Sequence, residues 1–218
     1  MINQLLEILG RNYKLEEVDV KEMASLKANG MTFSIQAYKA EGLGHVSVMR
    51  AKGFFGLMKM DTFIINPYEV DLPLYSYDRI YAAGNDTLIV ELYDTLVGDY
   101  SEESLHEVKA EYTDLAERDP GEHWYDSIKL ASSISKKGKK AQSKRFDDLT
   151  LRHFGAYLKD GNAVEDIGEK QEKGAYYVNG LLTNGGPSTD VFKKALGIEL
   201  TGKLFKDVLF GVSNVSME

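Results

Sequence analysis

Asp78 is the side chain whose setting in the sequence best suits chemistry. Pro67 and Pro73, two of four prolines, each fix φ and remove a backbone donor, so the stretch between them reads as an irregular loop. Asp78 then falls at what reads as a loop-to-strand junction, flanked by Tyr75, Tyr77 and Tyr81. Gly84-Asn85-Asp86 supplies a hairpin turn before the apolar run Thr87 to Asp94. A carboxylate so placed can be aimed into a pocket and move a proton there. The plain alternative is a turn aspartate hydrogen-bonded to its own backbone.

Most other chemistry finds no support. The chain has no cysteine, which excludes disulfides, a thiolate nucleophile, thiolate zinc sites and a cysteine-held iron–sulfur cluster within it. Neither GxxxxGK[ST] nor GxGxxG occurs, so Gly53-Phe54-Phe55-Gly56 and Gly84-Asn85 are not phosphate loops. His45, His106, His123 and His153 show no HExxH or other metal-holding spacing. Ser132-Ser133-Ile134-Ser135-Lys136 is rich in hydroxyls but lacks the companion motifs of a serine–lysine hydrolase.

One charged stretch stands out. Residues 135–145 carry six basic side chains, Lys136, Lys137, Lys139, Lys140, Lys144 and Arg145, in a chain whose formal charge is -8. That overall charge argues against a general nucleic-acid binder. The basic run itself is either a solvated loop or a docking site for an anion or an acidic protein.

The elements that must position these residues follow from periodicity. Ile2, Leu5, Leu6, Ile8 and Leu9 suit one face of a short N-terminal helix, whereas residues 14 to 29 carry no clear pattern. From Met31 the period becomes two: Met31, Phe33, Ile35 and Ala37, then Val46, Val48 and Ala51 after the Gly42-Leu43-Gly44 turn, predict a hairpin. A third strand over 56–65 places Met58, Met60, Thr62 and Ile64 on its cleaner apolar face, and strands near 79–83 and 87–94 follow. Short connections make an antiparallel meander the economical topology.

Beyond Asp94 the pattern is helical. Ser101 is placed to cap a helix over 102–117, and a shorter helix carries Trp124, Ile128 and Leu130. Another helix runs from Phe146 to Leu158, preceded by Ser143 and closed by Asp160-Gly161, and residues 163–183 are partly helical. Pro187 opens a helix to Leu196 that Gly197 stops, and Leu200, Leu204, Phe205, Val208 and Leu209 form a final buried stripe. Helix, strands, then helices predict an α+β domain with helices over an antiparallel sheet.

Length and composition agree with one domain spanning 1–218, because 218 residues with 43% hydrophobic content can bury a full core. No run of roughly 18 apolar residues occurs, and Met1-Ile2-Asn3-Gln4 lacks a signal-peptide layout, so a cytoplasmic location is the default expectation, and the mixed surface charge gives no reason to expect more than a monomer.

Residues 66–94, read as Pro67-x(5)-Pro73-Leu74-Tyr75-x-x-Asp78 followed by a glycine turn and an apolar strand, resemble the core motif of the ferredoxin-dependent bilin reductases. Trp124 to Gly138, Arg145 to Leu158 and Gly174 to Val212 resemble further stretches of that family in the same order. The resemblance implies a three-layer α/β/α sandwich holding a biliverdin-like linear tetrapyrrole between the sheet and the C-terminal helices. It also implies single electrons from external reduced ferredoxin or flavodoxin, protons from side chains, and no cofactor bound in the chain.

Position by position, Asp78 matches the family's proton-donating aspartate. Burial beside a conjugated ligand would favour its neutral form. Lys136 falls where phycocyanobilin-forming members use an arginine to grip a pigment propionate, with the bidentate fork lost. Lys137, Lys139, Lys140, Lys144 and Arg145 would then face an acidic ferredoxin. Arg50 and Thr62 stand where those members have a catalytic glutamate and histidine, and neither can do that acid work. Arg50 could pair with a pigment carboxylate, Asp61 or Asp78; Thr62 could hydrogen-bond a lactam or a backbone carbonyl. Asn184, in Asn184-Gly185-Gly186-Pro187 with Asp190 beyond, sits where other branches place a second aspartate and is a candidate ligand contact. The competing function is a non-catalytic tetrapyrrole-binding protein on the same fold, with a flavin- or haem-carrying protein as a third possibility.

Overall fold

Strict alternation from Met31 onward builds the centre of the molecule. The computed structural model describes residues 1–159 and 161–213. Helix α1 (Ile2–Asn12) is followed by β1 (Leu15–Val18), β2 (Ser25–Ala28), β3 (Met31–Ala40), β4 (Gly44–Gly53), β5 (Met58–Pro67), the two-residue β6 (Val70–Asp71), β7 (Leu74–Ala82) and β8 (Asn85–Tyr93). Then come α2 (Glu103–Ala110), β9 (Ile134–Lys139), α3 (Ser143–Tyr157), β10 (Asn162–Ala163), α4 (Ile167–Asn184), α5 (Pro187–Leu196), α6 (Ile198–Lys203) and a π-helical turn over Leu204–Leu209.

The main sheet has eight strands in the order β1-β3-β4-β5-β7-β8-β9, with β2 sharing the β3 edge with β1. The pairings are antiparallel throughout, and β10 pairs β6 in a separate two-stranded ribbon. Because side chains alternate across a strand, the sheet has two buried faces. Val46, Val48, Phe63, Tyr75, Tyr77, Leu88 and Val90 pack with α1, α2 and α3 through residues such as Leu5, Leu105 and Phe154. Phe33, Ile35, Met49, Ile64 and Tyr93 pack instead with Val178, Leu181, Phe192 and Phe205 of α4, α5 and the π-helical turn. The result is the α+β three-layer sandwich with a central antiparallel sheet.

Several local expectations need correction. Asp78 lies in the middle of β7, since Leu74 already starts the strand directly after Pro73 and both neighbours pair along it, Ile65 with Tyr75 and Asp78 with Ile89. The β7–β8 turn is Ala83-Gly84, both with positive φ, so Asn85 and Asp86 belong to the strand. The helix over 102–117 ends at Ala110 because residues downstream are drawn to the sheet edge: Lys137 N–H donates to Ala116 O and Arg118 N–H to Ser135 O. Ser101 accepts from Glu103 N–H at 3.3 Å, and Glu102 occupies the cap position. The basic loop is in large part β9 and the start of α3. Ser143 is the first residue of α3 and donates to Asp86 at 2.6 Å. Asp160, expected to close that helix, lies outside the described residues.

The Pro67–Pro73 stretch is not wholly irregular, since it holds β6. A buried ion pair fastens it: Lys170 Nζ on α4 donates to Asp71 Oδ1 at 3.0 Å and to the carbonyls of Leu72 and Thr95. Asp71 also accepts from the backbone of Val97 and Gly98. Burial pushes the Asp71 carboxyl up, but Lys170 and these backbone donors outweigh it and hold the group below its ordinary value. This cluster fixes the start of α4 on the sheet, and thereby the roof of the site below. No described helix is long and apolar enough to cross a membrane.

Candidate active site

A cavity of about 340 Å3, open on one side, lies between the sheet and the C-terminal helices. It falls at the low end of the roughly 300–1,000 Å3 typical of small-molecule sites. Period two decides which residues reach it. From β5 these are Met58, Met60, Thr62 and Ile64, from β7 Ser76, Asp78 and Ile80, and from β8 Ile89, Glu91 and Tyr93. Leu181 of α4, Phe192 of α5, and Phe205 and Leu209 of the π-helical turn form the roof. Arg118, His123 and Tyr125 close one side.

The roof is anchored by three polar side chains that satisfy its last carbonyls. Ser47 donates to Leu209 O, Asn66 Nδ2 to Phe210 O and His45 Nε2 to Val208 O, each at 2.8 Å. Burial lowers the His45 pKa, which favours a neutral ring carrying its proton on Nε2. Such π-helical turns recur at functional sites, and here the turn aims Phe205 and Leu209 at the cavity. Against α4, Trp124 occupies the space over Gly180, where a Cβ would come within 2.2 Å of the indole. Its Nε1 donates to Gly185 O at 2.9 Å.

Asp78 projects into this mostly apolar space. Thr62, its direct cross-strand neighbour, donates from Oγ1 to Asp78 Oδ1 at 2.5 Å. Desolvation by the surrounding apolar and aromatic groups pushes the Asp78 carboxyl up to about 6, opposed by the Thr62 hydrogen bond and reinforced by the negative charge of Glu91. The group therefore gains its proton in the range where a general acid is useful near neutrality.

The tyrosines near Asp78 in sequence are not its neighbours in the cavity. Tyr75 and Tyr77 point to the opposite face, where both hydroxyls are buried without a partner among the described residues. Tyr93, Tyr125 and Tyr177 take that role. Tyr93 stacks on Tyr177 with centroids 4.2 Å apart and meets Tyr125 edge-on at 5.5 Å. Tyr93 donates to Glu91 Oε2 at 2.6 Å, and Lys129 Nζ stands 4.0 Å from Glu91 Oε1.

Glu91 is thus a second carboxyl of the site that sequence reading missed. Its signal was present: it follows Ile89 and precedes Tyr93 at period two, opposite Ser76. Arg118 lies on the irregular stretch after α2 and carried no such signal; Tyr125 lies in the short 3-10 helix Trp124–Ile128, which the sequence anticipated through Trp124 and Ile128 without marking this tyrosine.

Of the other candidates, Thr62 lies beside Asp78, whereas Arg50, Lys136 and Asn184 do not join them. Arg50 has the opposite parity to Met49 and faces α1, donating to Gln36 at 3.0 Å and Asn3 at 2.8 Å. It is paired in register with Asp61 but bonds neither Asp61 nor Asp78 in this arrangement. Lys136 pairs with Leu88 on the α2–α3 face, is only 5% exposed, and donates to Leu115 O at 3.0 Å and Glu117 Oε1 at 2.5 Å. Asn184 ends α4 exposed to solvent, while Gly186, Pro187 and Ser188 just beyond it reach the rim. Arg50, Lys136 and Asn184, read from the sequence as pigment contacts, therefore lie outside the lining of the cavity that holds Asp78 and Thr62. Among the described residues, no group of three or more His, Asp or Glu side chains is arranged to hold a metal.

No family model matches the chain. No curated protein matches it either. Among solved structures, one that matches is tomato phytochromobilin synthase in complex with biliverdin, at 15% identity and a TM-score of 0.77, covering 100% of this chain and 84% of that one. The chain shares the fold of that protein.

Proposed function

We propose that this protein reduces a biliverdin-like linear tetrapyrrole, taking electrons singly from ferredoxin or flavodoxin and protons from its own side chains. The observation that carries the reading is Asp78: a carboxyl with its pKa raised to about 6, hydrogen-bonded by Thr62 and facing an aromatic, largely apolar cavity. A protein of the same fold has been crystallised with biliverdin, and the sequence resemblance to bilin reductases centres on the strand that bears Asp78.

Saturating one double bond takes two electrons and two protons. The donor protein supplies the electrons. At pH 7 a carboxyl of pKa near 6 is protonated about a tenth of the time, sufficient to deliver a proton to a ligand whose basicity rises on reduction. Among the described residues Glu91 is the other carboxyl lining the cavity, and the Tyr93 hydroxyl donates to it, so this hydroxyl–carboxylate pair is the proposed route for the second proton. Arg118 is the cation at the cavity edge and is suited to a pigment carboxylate in place of Arg50 and Lys136. Lys137, Lys139, Lys140 and Lys144 are exposed and favour an acidic electron donor, with salt-sensitive encounter. Arg145 is tied to Asp114 at 3.0 Å and lies over Tyr112, so it contributes less to such a surface.

Anaerobic mixing with biliverdin and photoreduced ferredoxin should give transient radical absorption and then a blue-shifted product. An unchanged spectrum at saturating pigment would remove the proposal. If Asp78→Asn binds pigment as the wild type does and both are inert, the chain is instead a tetrapyrrole carrier.

A further inference from the structure

We propose that the tip of the β4–β5 hairpin docks on an anionic lipid bilayer. The inference does not depend on the reaction proposed above. Residues 54–57 project beyond the sheet with their apolar side chains in water: Phe54 is 52%, Leu57 75% and Phe55 109% exposed. Phe55, in particular, rests on nothing among the described residues. Phe54, Phe55 and Gly56 have φ of 51°, 56° and 84°. Two consecutive bulky residues in the left-handed region are unfavourable, yet this turn adopts that conformation, with the Phe55 ring fully out and the Phe54 ring half-exposed beside Gly30.

Positive charge flanks the tip on one face of the sheet. Lys52 and Lys59 are cross-strand partners at its base, and Lys27 joins the same row through Thr32. All three are exposed, and among the described residues none has an ion-pair partner. The register also brings Lys139, paired with Asn85 at the far side of Ala82, to this end of the sheet. A convex apolar tip with a row of lysines along one side matches a bilayer interface: the rings enter the acyl boundary while the lysine stems lie along it and their ammonium groups meet the headgroup phosphates. A protein partner would need a cavity shaped to this tip, whereas a row of lysines beside apolar rings asks only for a charged, deformable surface. Met31 and Met58, which border Gly53 at the hairpin base, also line the cavity. Docking would therefore bring that edge of the cavity to the lipid surface.

The test is flotation of the full chain with vesicles of phosphatidylcholine alone and of phosphatidylcholine mixed equally with phosphatidylglycerol. The wild type should float with the anionic vesicles at low salt, bind neutral ones at least tenfold less, and be released by high salt. Phe54→Asn/Phe55→Asn keeps a turn that asparagine tolerates at positive φ and should lower binding roughly tenfold or more. Lys52→Glu/Lys59→Glu should do the same by charge. Circular dichroism and thermal unfolding of both variants should match the wild type. A wild type that stays in solution with anionic vesicles overturns the proposal and leaves an acidic protein as the next class of partner. Binding that survives in both variants overturns it as well.

Discussion

Replacing Asp78 by asparagine should remove a pH-dependent cost that the folded chain carries at and above neutrality. The folded carboxyl has its pKa raised from 3.8 to about 6, chiefly by desolvation. A raised carboxyl pKa contributes stability that is fully present below the unfolded value and is lost as pH rises through the folded one. A shift of that size corresponds to about 3 kcal/mol, of which roughly 2.5 kcal/mol is lost between about pH 4 and pH 8. Asparagine keeps the oxygen that accepts from Thr62 and has no proton to lose. Urea unfolding of both proteins across this range isolates the group, because every other titration is common to the pair. The stability of Asp78→Asn relative to wild type should rise by about 2.5 kcal/mol from the acid end and flatten above about pH 7. A difference that stays constant across the range would mean that the carboxyl is ordinarily solvated, and the argument for it as an acid would fail. If pigment is reduced, the same variant should lose about 100-fold or more in kcat with pigment affinity nearly unchanged.

Thr62→Val removes the hydrogen bond that favours ionised Asp78, so the Asp78 titration, followed by carboxyl-selective NMR, should move to higher pH; an unmoved or lower midpoint would contradict the geometry. Lys170→Met leaves Asp71 buried without its cation and should cost about 3–5 kcal/mol in urea unfolding, while a loss below 1 kcal/mol would show the cluster to be dispensable. Arg118→Ala should weaken biliverdin binding by roughly 10- to 100-fold and leave binding of its dimethyl ester unaffected, since only the acid offers a carboxylate. Equal weakening of both would assign Arg118 to packing.

The sequence alone determined the part of the architecture that rests on local repetition. Period two from Met31 to Tyr93 specified the antiparallel meander, and the shared face of Met58, Met60, Thr62 and Ile64 is the face that lines the cavity. Pro187 and Gly197 marked the ends of α5, because a missing N–H and a positive φ are properties of single residues. Tertiary structure decided what no local pattern contains. The odd offsets, three residues and one, that put Tyr75 and Tyr77 near Asp78 along the chain also send them to the other side of the sheet, and Tyr93, Tyr125 and Tyr177 line the aspartate's cavity from three separate elements. Lys136, one of six clustered basic residues, ends buried against Leu115 and Glu117 because residues 116–118 pair with β9 rather than continue α2. In each case local spacing sets which face of its own element a side chain occupies. The partner that covers that face, and with it the chemistry the side chain can perform, comes from residues distant in the chain.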